Sequence, residues 1–215
     1  MKVLFIYPNT QGYPRVPLGM NTLMSILEEE NHEVDLFDTT FLLHDRNTED
    51  DEKLKVGLVK PTDTTKYFSK HSRKEIDELL RQKINKFSPD LVAFSIMEDN
   101  YQYANELMNT IKSIDNIPIL VGGTTPTVAP DVLIENPNID WLICGEAEWS
   151  IRDFCKRLEN GKNVENVSNL VYKKNSHVVV NPLGRFTDLN EVPFQNFDRQ
   201  SFPPWSRSLH WKPQN

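Results

Sequence analysis

Four short stretches of the 215-residue chain gather small and polar residues where a ligand could meet backbone directly. The barest is Gly122–Gly123, followed at once by Thr124, Thr125, Pro126 and Thr127. Two residues without side chains let a flat or elongated ligand lie against the main chain, and the threonines add hydroxyls and N–H donors. Taken alone, the same pair also reads as a tight turn. The second stretch is Ser95, Ile96, Met97 and Glu98, with a hydroxyl at the end of an apolar run. Glu98 and Asp99 are acidic, yet no second group stands at the spacing that acid–base catalysis needs. Asn100 suits the cap of a following helix. Gly145, Glu146 and Glu148 make the third stretch, a flexible bend with two carboxylates near a helix start. The positive end of a helix dipole favours carboxylates there, so capping explains them equally well. The fourth, "PNTQGYPRVPLG", holds Asn9, Gly12, Pro17, Leu18 and Gly19. Pro17 fits a first helical turn because its missing N–H is not needed there. An ordinary strand-to-helix loop would have the same composition.

Several chemistries are unsupported. Neither G-x-G-x-x-G nor G-x-x-x-x-G-K-S/T occurs, so the dinucleotide and P-loop phosphate cradles are missing. The first loop lacks the Ser/Thr-Gly phosphate nest that a flavodoxin offers FMN, and the paired acids of a phospho-acceptor. No Ser/His/Asp or Cys/His arrangement stands out, and His32 and His177 read as surface residues. Cys144 and Cys155 match no metal spacing and read as core residues in a reducing cytoplasm. A net charge of −7 and a pI near 5.3 disfavour a nucleic-acid partner. No apolar run approaches the roughly 20 residues that cross a bilayer. "MKVLFIYP" is too short for a signal sequence and reads as a first buried strand.

The elements that must position these residues alternate along the chain. "KVLFIY" (2–7), "EVDLFD" (33–38), "LVAFSI" (91–96), "IPILVGG" (117–123) and "IDWLICGE" (139–146) read as five strands. Met20, Leu23, Met24 and Leu27 recur at helical spacing, as do Ile76, Leu79, Leu80 and Ile84. Ala104, Leu107, Met108 and Ile111 repeat the pattern, and so do Ile151, Phe154, Cys155 and Leu158; a weak helix is expected at 130–136. Alternation of this kind predicts an α/β fold with a doubly wound, five-stranded parallel sheet, flavodoxin-like (Rossmann-like), with order 2-1-3-4-5. Ligands of such sheets bind beyond the carboxyl ends of the strands, where all four stretches fall. The charged, Thr-rich segment 39–72 reads as an irregular insertion with a solvated surface. After residue 161 the pattern changes. "NLVYKKNSHVVVN" reads as a β-hairpin around a polar turn. A tail with five prolines follows, so residues 1–161 are expected as one domain and 162–215 as a hairpin and connector.

Together, "PLGMNTLMSILEEENHEVDLFD", "SPDLVAFSI", "IPILVGGTTPTVAPDVL", "IDWLICGEAEWSIRDFCKRLENG" and "GRFTDLNEVPFQNFD" resemble, in order, the N-terminal cobalamin (B12)-binding domain of B12-dependent radical SAM enzymes. The match covers most of the chain outside 39–72. The resemblance implies a corrin ring across the carboxyl ends of the strands. It also implies a slot beside the sheet for the cofactor's nucleotide tail, with Gly122 and Gly123 as one wall and Ser95 near the tail. The implied cofactor-binding set is Asn9, Pro17, Leu18, Gly19, Ser95, Ile96, Met97, Glu98, Gly122, Gly123, Thr124, Thr125, Pro126, Thr127, Gly145, Glu146 and Glu148. The D-x-H-x-x-G of classical B12 domains is absent: if Gly19 is its last glycine, Pro14 and Val16 replace Asp and His. Cobalamin is therefore expected base-off, with no protein histidine on cobalt. The family's C-x-x-x-C-x-x-C is also absent, so the 4Fe-4S cluster, the S-adenosylmethionine site and the radical SAM domain are expected outside this chain. The chain alone should bind cobalamin and catalyse nothing. A nucleotide- or FMN-binding protein and a ligand-free interaction domain are the alternatives.

Overall fold

The computed structural model describes residues 1–9, 17–40, 42–43, 53–58 and 69–197. Expectations for Gly12, Pro14, Val16, most of the 39–72 insertion and the end of the connector beyond residue 197 lie outside these residues.

Continuous apolar runs become strands buried on both faces. In β1 (Lys2–Tyr7), Val3, Leu4, Phe5 and Ile6 are all essentially inaccessible. β1 pairs in parallel with β2 (Glu33–Asp38) and β3 (Leu91–Ser95), and β3 with β4 (Ile119–Gly122), which pairs with β5 (Trp141–Ile143). The order of these five strands is 2-1-3-4-5, as the alternation predicts. One correction concerns the strand count. The hairpin β6 (Leu170–Lys174) and β7 (His177–Val180) does not stand apart: β6 pairs antiparallel with β5, giving seven strands instead of five. Leu170 and Val171 are fully buried, so the sheet's hydrophobic area drives the docking. Asn175 and Ser176 both hold positive φ, 50° and 65°, which matches the primed turn of a two-residue hairpin.

Helices cover both faces. Leu4, Ile6, Val92, Phe94 and Val121 point to the side of α2 (Arg73–Phe87) and α3 (Tyr101–Ile114). Val3, Phe5, Leu91, Ala93, Leu120 and Ile143 point to the side of α1 (Leu18–Glu29) and α6 (Glu148–Glu159). This period-2 division is what a strand's pleat imposes. Ser72 caps α2 through a capping box with Glu75, and Ser88 ends it in the left-handed conformation. The expected helix at 130–136 is the short α5 (Pro130–Leu133), and one unexpected turn, α4 (Thr124–Val128), precedes it. Within the 39–72 segment, Leu42–Leu43 pair in parallel with Ser69–Lys70. No helix among the described residues is long and apolar enough to cross a membrane.

His32 corrects another expectation. It is buried, with Nδ1 3.2 Å from the Met1 amino group, which in turn forms an ion pair with Glu159. Burial and the neighbouring amine lower its pKa. His177 is exposed, as expected. Cys144 and Cys155 are buried free thiols, and burial pushes that of Cys155 up to about 12.

Candidate functional site

Between α1 and α6, at the carboxyl ends of the strands, the sheet lies open in a cleft of about 420 Å³. Register explains why. Phe5, Ala93 and Leu120 are cross-strand partners and form one row of the floor; Ser95 and Gly122 are partners in the next. Three of these five residues are alanine, serine and glycine, so the floor sinks where the flanking helices part. Gly19, Met20 and Leu23 of α1 form one wall. Gly145, Glu146, Ala147, Glu148 and Ile151 form the other. Arg152 fastens the walls together away from the mouth, bridging to Glu29 at 3.0 Å and Glu30 at 3.2 Å.

The two glycines of the opening motif have different reasons to be glycine. A Cβ at Gly122 would meet nothing nearer than the Phe94 carbonyl oxygen at 3.9 Å, and it would share the face of Leu120, the cleft floor. Gly123 has φ +111° and ψ −167°, and a Cβ there would stand 2.4 Å from the Ile96 carbonyl oxygen. Gly122 therefore keeps the cleft open, while Gly123 lets two backbones touch. Beyond Gly123 the threonines are helical, not a loop. Thr127 Oγ1 donates to the Gly123 carbonyl and accepts from Gly145 N–H, both at 2.9 Å, tying the β4 and β5 loops together. Cys144 adds a thiol donor to the Pro126 carbonyl at 3.1 Å.

Of the residues singled out in the sequence, Gly19, Ser95, Gly122, Gly123, Gly145, Glu146 and Glu148 line the cleft. Others stand elsewhere. Ile96 is fully buried on the opposite face of the sheet, and only its backbone meets Gly123. Met97 and Glu98 are exposed beside the mouth, and Leu18 is exposed on α1. Pro17 precedes α1 and accepts the first turn's bond from Asn21 N–H at 2.8 Å. Asn100 does not cap the helix it precedes; its Oδ1 turns back to accept from Met97 N–H at 2.9 Å. Glu146 and Glu148 do not cap α6 with side-chain bonds. Both accept from Thr187, Glu146 from its N–H at 2.6 Å and Glu148 from its hydroxyl at 3.3 Å.

Two features escape the sequence patterns. Asn169 is buried in the left-handed conformation (φ 66°). Its Nδ2 donates to the Glu146 carbonyl at 2.8 Å and its Oδ1 accepts from Gly184 N–H, so it fixes the bend after β5. A buried Asn in a hairpin's approach leaves no periodic trace. The second is a chain of bonds just beyond the ends of β1 and β2: Asn9 Nδ2 donates to Thr40 Oγ1 at 3.0 Å, and that hydroxyl donates to Asp38 Oδ1 at 2.5 Å. Burial raises the Asp38 pKa from 3.8 to about 6, only partly offset by the bonds from Thr40. The fold binds this proton more tightly than the unfolded chain does. The resulting stabilisation is present below about pH 4 and lost as pH rises through 6, about 3 kcal/mol at most. Asp38→Asn should flatten that part of a plot of unfolding free energy against pH and raise stability at pH 7.5. Urea titrations at pH 4.5, 6 and 7.5 check this.

Comparison with known proteins agrees with this geometry. Residues 65–154 match the B12-binding domain family. An uncharacterized methyltransferase of Pyrococcus horikoshii is 25% identical over 208 residues, which is 92% of this chain and 38% of the relative. The radical S-adenosylmethionine methyltransferase TsrM of Kitasatospora setae, in a structure with cobalamin and a 4Fe-4S cluster bound, superposes with a TM-score of 0.65 at 19% identity. The alignment covers 87% of this chain and 30% of TsrM. The cobalamin-dependent S-adenosylmethionine radical enzyme OxsB, with aqua-cobalamin and S-adenosylmethionine bound, gives 0.62 at 20% identity, over 86% and 22% of the two chains. The chain thus spans well under half the length of each of these proteins. The B12-binding match spans residues 65–154, and over most of its length the chain shares its fold with TsrM and OxsB, which are three to four times longer.

Proposed function

We propose that the cleft takes the nucleotide tail of a base-off cobalamin whose corrin lies over the carboxyl ends of β1, β3, β4 and β5. The observation that carries this reading is the sunken strip Ala93–Ser95–Gly122 between two parted helices. At about 420 Å³ the cleft is too small for a whole corrinoid and of a size for its appendage. The lining is mostly apolar. It includes Ser95, Glu146 and Glu148 but no Lys or Arg among the described residues. That composition is a poor host for the several phosphate charges of a nucleotide, and the missing phosphate motifs agree. The loop 8–19 holds no histidine, which supports a cobalt without a protein imidazole beneath it.

Bound cobalamin would supply the cobalt chemistry of methyl transfer. The chain's own contribution is to bind and orient. Gly122 admits the tail, Ser95 offers a hydroxyl beside it, and Gly19, Met20 and Leu23 exclude water along one side. In this reading the 4Fe-4S cluster, S-adenosylmethionine and substrate belong to a radical SAM domain joined through the connector after residue 182. This chain alone is then a cofactor-binding module of a cytoplasmic methyltransferase-type enzyme. Incubation with hydroxocobalamin followed by gel filtration tests it. Coloured protein at near one cobalamin per chain is the expected result, and colourless protein would exclude the reading. Release of a yellow flavin or a nucleotide on denaturation would favour the alternative instead.

A further inference from the structure

The connector after the hairpin does not simply leave the sheet. Residues 184–196 run from one wall of the cleft to the other. On the α6 side, Gly184 N–H is held by Asn169 and Arg185 stacks 3.9 Å above the Trp149 ring. Thr187 bonds both cleft carboxylates, Glu146 and Glu148. On the α1 side, Gln195 Nε2 donates to Thr22 Oγ1 at 2.7 Å and to the Leu18 carbonyl at 3.2 Å, and Asn196 N–H donates to Ser25 Oγ at 3.1 Å. Between these ends Val192 packs on the core cluster shared by α1 and α6. The span is stiffened internally. Asp188 accepts from Asn190 N–H at 2.9 Å to cap a short turn, and Arg185 pairs with Glu191 at 2.8 Å.

We infer that this strap is a clasp across the two walls, with Gln195 and Thr187 as positioning residues that set how readily the cleft opens to admit or release its guest. The inference rests on the cobalamin reading of the cleft. The strap itself contributes nothing to the lining: it holds Glu146 and Glu148 through Thr187 and anchors α1 at Leu18 and Thr22, each one residue before the wall residues Gly19 and Leu23. A clasp closed both before and after binding acts on the rates of exchange and leaves the equilibrium nearly unmoved. A residue that touched the guest would instead change affinity.

Gln195→Ala removes both side-chain bonds to α1 while leaving the cleft untouched. Stopped-flow uptake and chase-out of hydroxocobalamin should both accelerate, roughly fivefold to tenfold, with the dissociation constant changed less than about threefold. Gln195→Lys, which keeps a donor on a long side chain, should return both rates towards the parent's. Unchanged rates overturn the inference, and so does faster release with an equal loss of affinity. If the parent chain takes up no cobalamin, the reading of the cleft fails, and the clasp is judged by hydrogen exchange. Faster exchange at Met20–Leu27 in Gln195→Ala then supports it, and no change overturns it.

Discussion

Replacing Gly122 with leucine is expected to give a folded protein that stays colourless with hydroxocobalamin. The position lies in a β-strand with no positive φ, and its Cβ would have ordinary contacts at 3.9 and 4.0 Å. Nothing in the fold resists the new side chain. Glycine is a poor strand residue, so stability should change by no more than about 1 kcal/mol. The branched side chain would instead fill the lowest part of the floor, between Ser95 and Ile143. Any guest lying on that strip would collide with it, and loss of affinity of at least about 100-fold is expected, equivalent to about 3 kcal/mol of steric and lost-contact cost. Visible absorbance of the protein peak and the urea midpoint, measured on one preparation, separate the two quantities. Retained colour at parental affinity would show that the cleft is not the place where cobalamin sits.

Gly123→Ala should do the reverse: it should lower stability first, and binding only as a consequence. Its φ of +111° with ψ −167° belongs to a region that essentially only glycine occupies, costing an L-residue about 1–3 kcal/mol. The added Cβ would also lie 2.4 Å from the Ile96 oxygen and 2.8 Å from its nitrogen. Both are backbone atoms, and Ile96 N–H is already bonded to the Gly122 carbonyl at 2.9 Å. Relief requires moving the ends of β3 and β4 apart, so a loss of about 3 kcal/mol or more is expected in urea unfolding. A stability equal to the parent's would mean that the β4 turn is looser than its geometry indicates.

Much of the architecture is written in local patterns. Val3 to Ile6 form an unbroken apolar run because both faces of β1 are covered, and Ile76, Leu80 and Ile84 repeat at the spacing that buries one side of α2. Those patterns carry the five parallel strands, their helices and the end of the sheet at which the cleft lies. What they do not carry is any choice made between distant segments. The hairpin's own turn is plain in "KKNS", but its union with β5 depends on Leu142 meeting Val171, a pairing with no local signature. His32 reads as exposed because the groups that bury it, Met1 and Glu159, come from opposite ends of the domain. Glu146 and Glu148 look like helix caps until Thr187, about 40 residues on, proves to be their partner. Within the cleft, the five glycine and serine positions, Gly19, Ser95, Gly122, Gly123 and Gly145, were legible as small residues at or beyond strand ends. The apolar walls, Met20, Leu23 and Ile151, were legible only as core, since a helix stripe that faces a cleft has the same spacing as one that faces a sheet.

The division of labour between the adjacent glycines leaves a mark that can be sought among diverging descendants of this chain. A lineage that abandoned its guest would be free to accumulate bulk at 122 while remaining bound to glycine at 123, because only the second is demanded by the polypeptide's own geometry. The first position would thus drift with loss of the ligand and the second with loss of the architecture, so that two neighbouring letters report separately on occupancy and on ancestry.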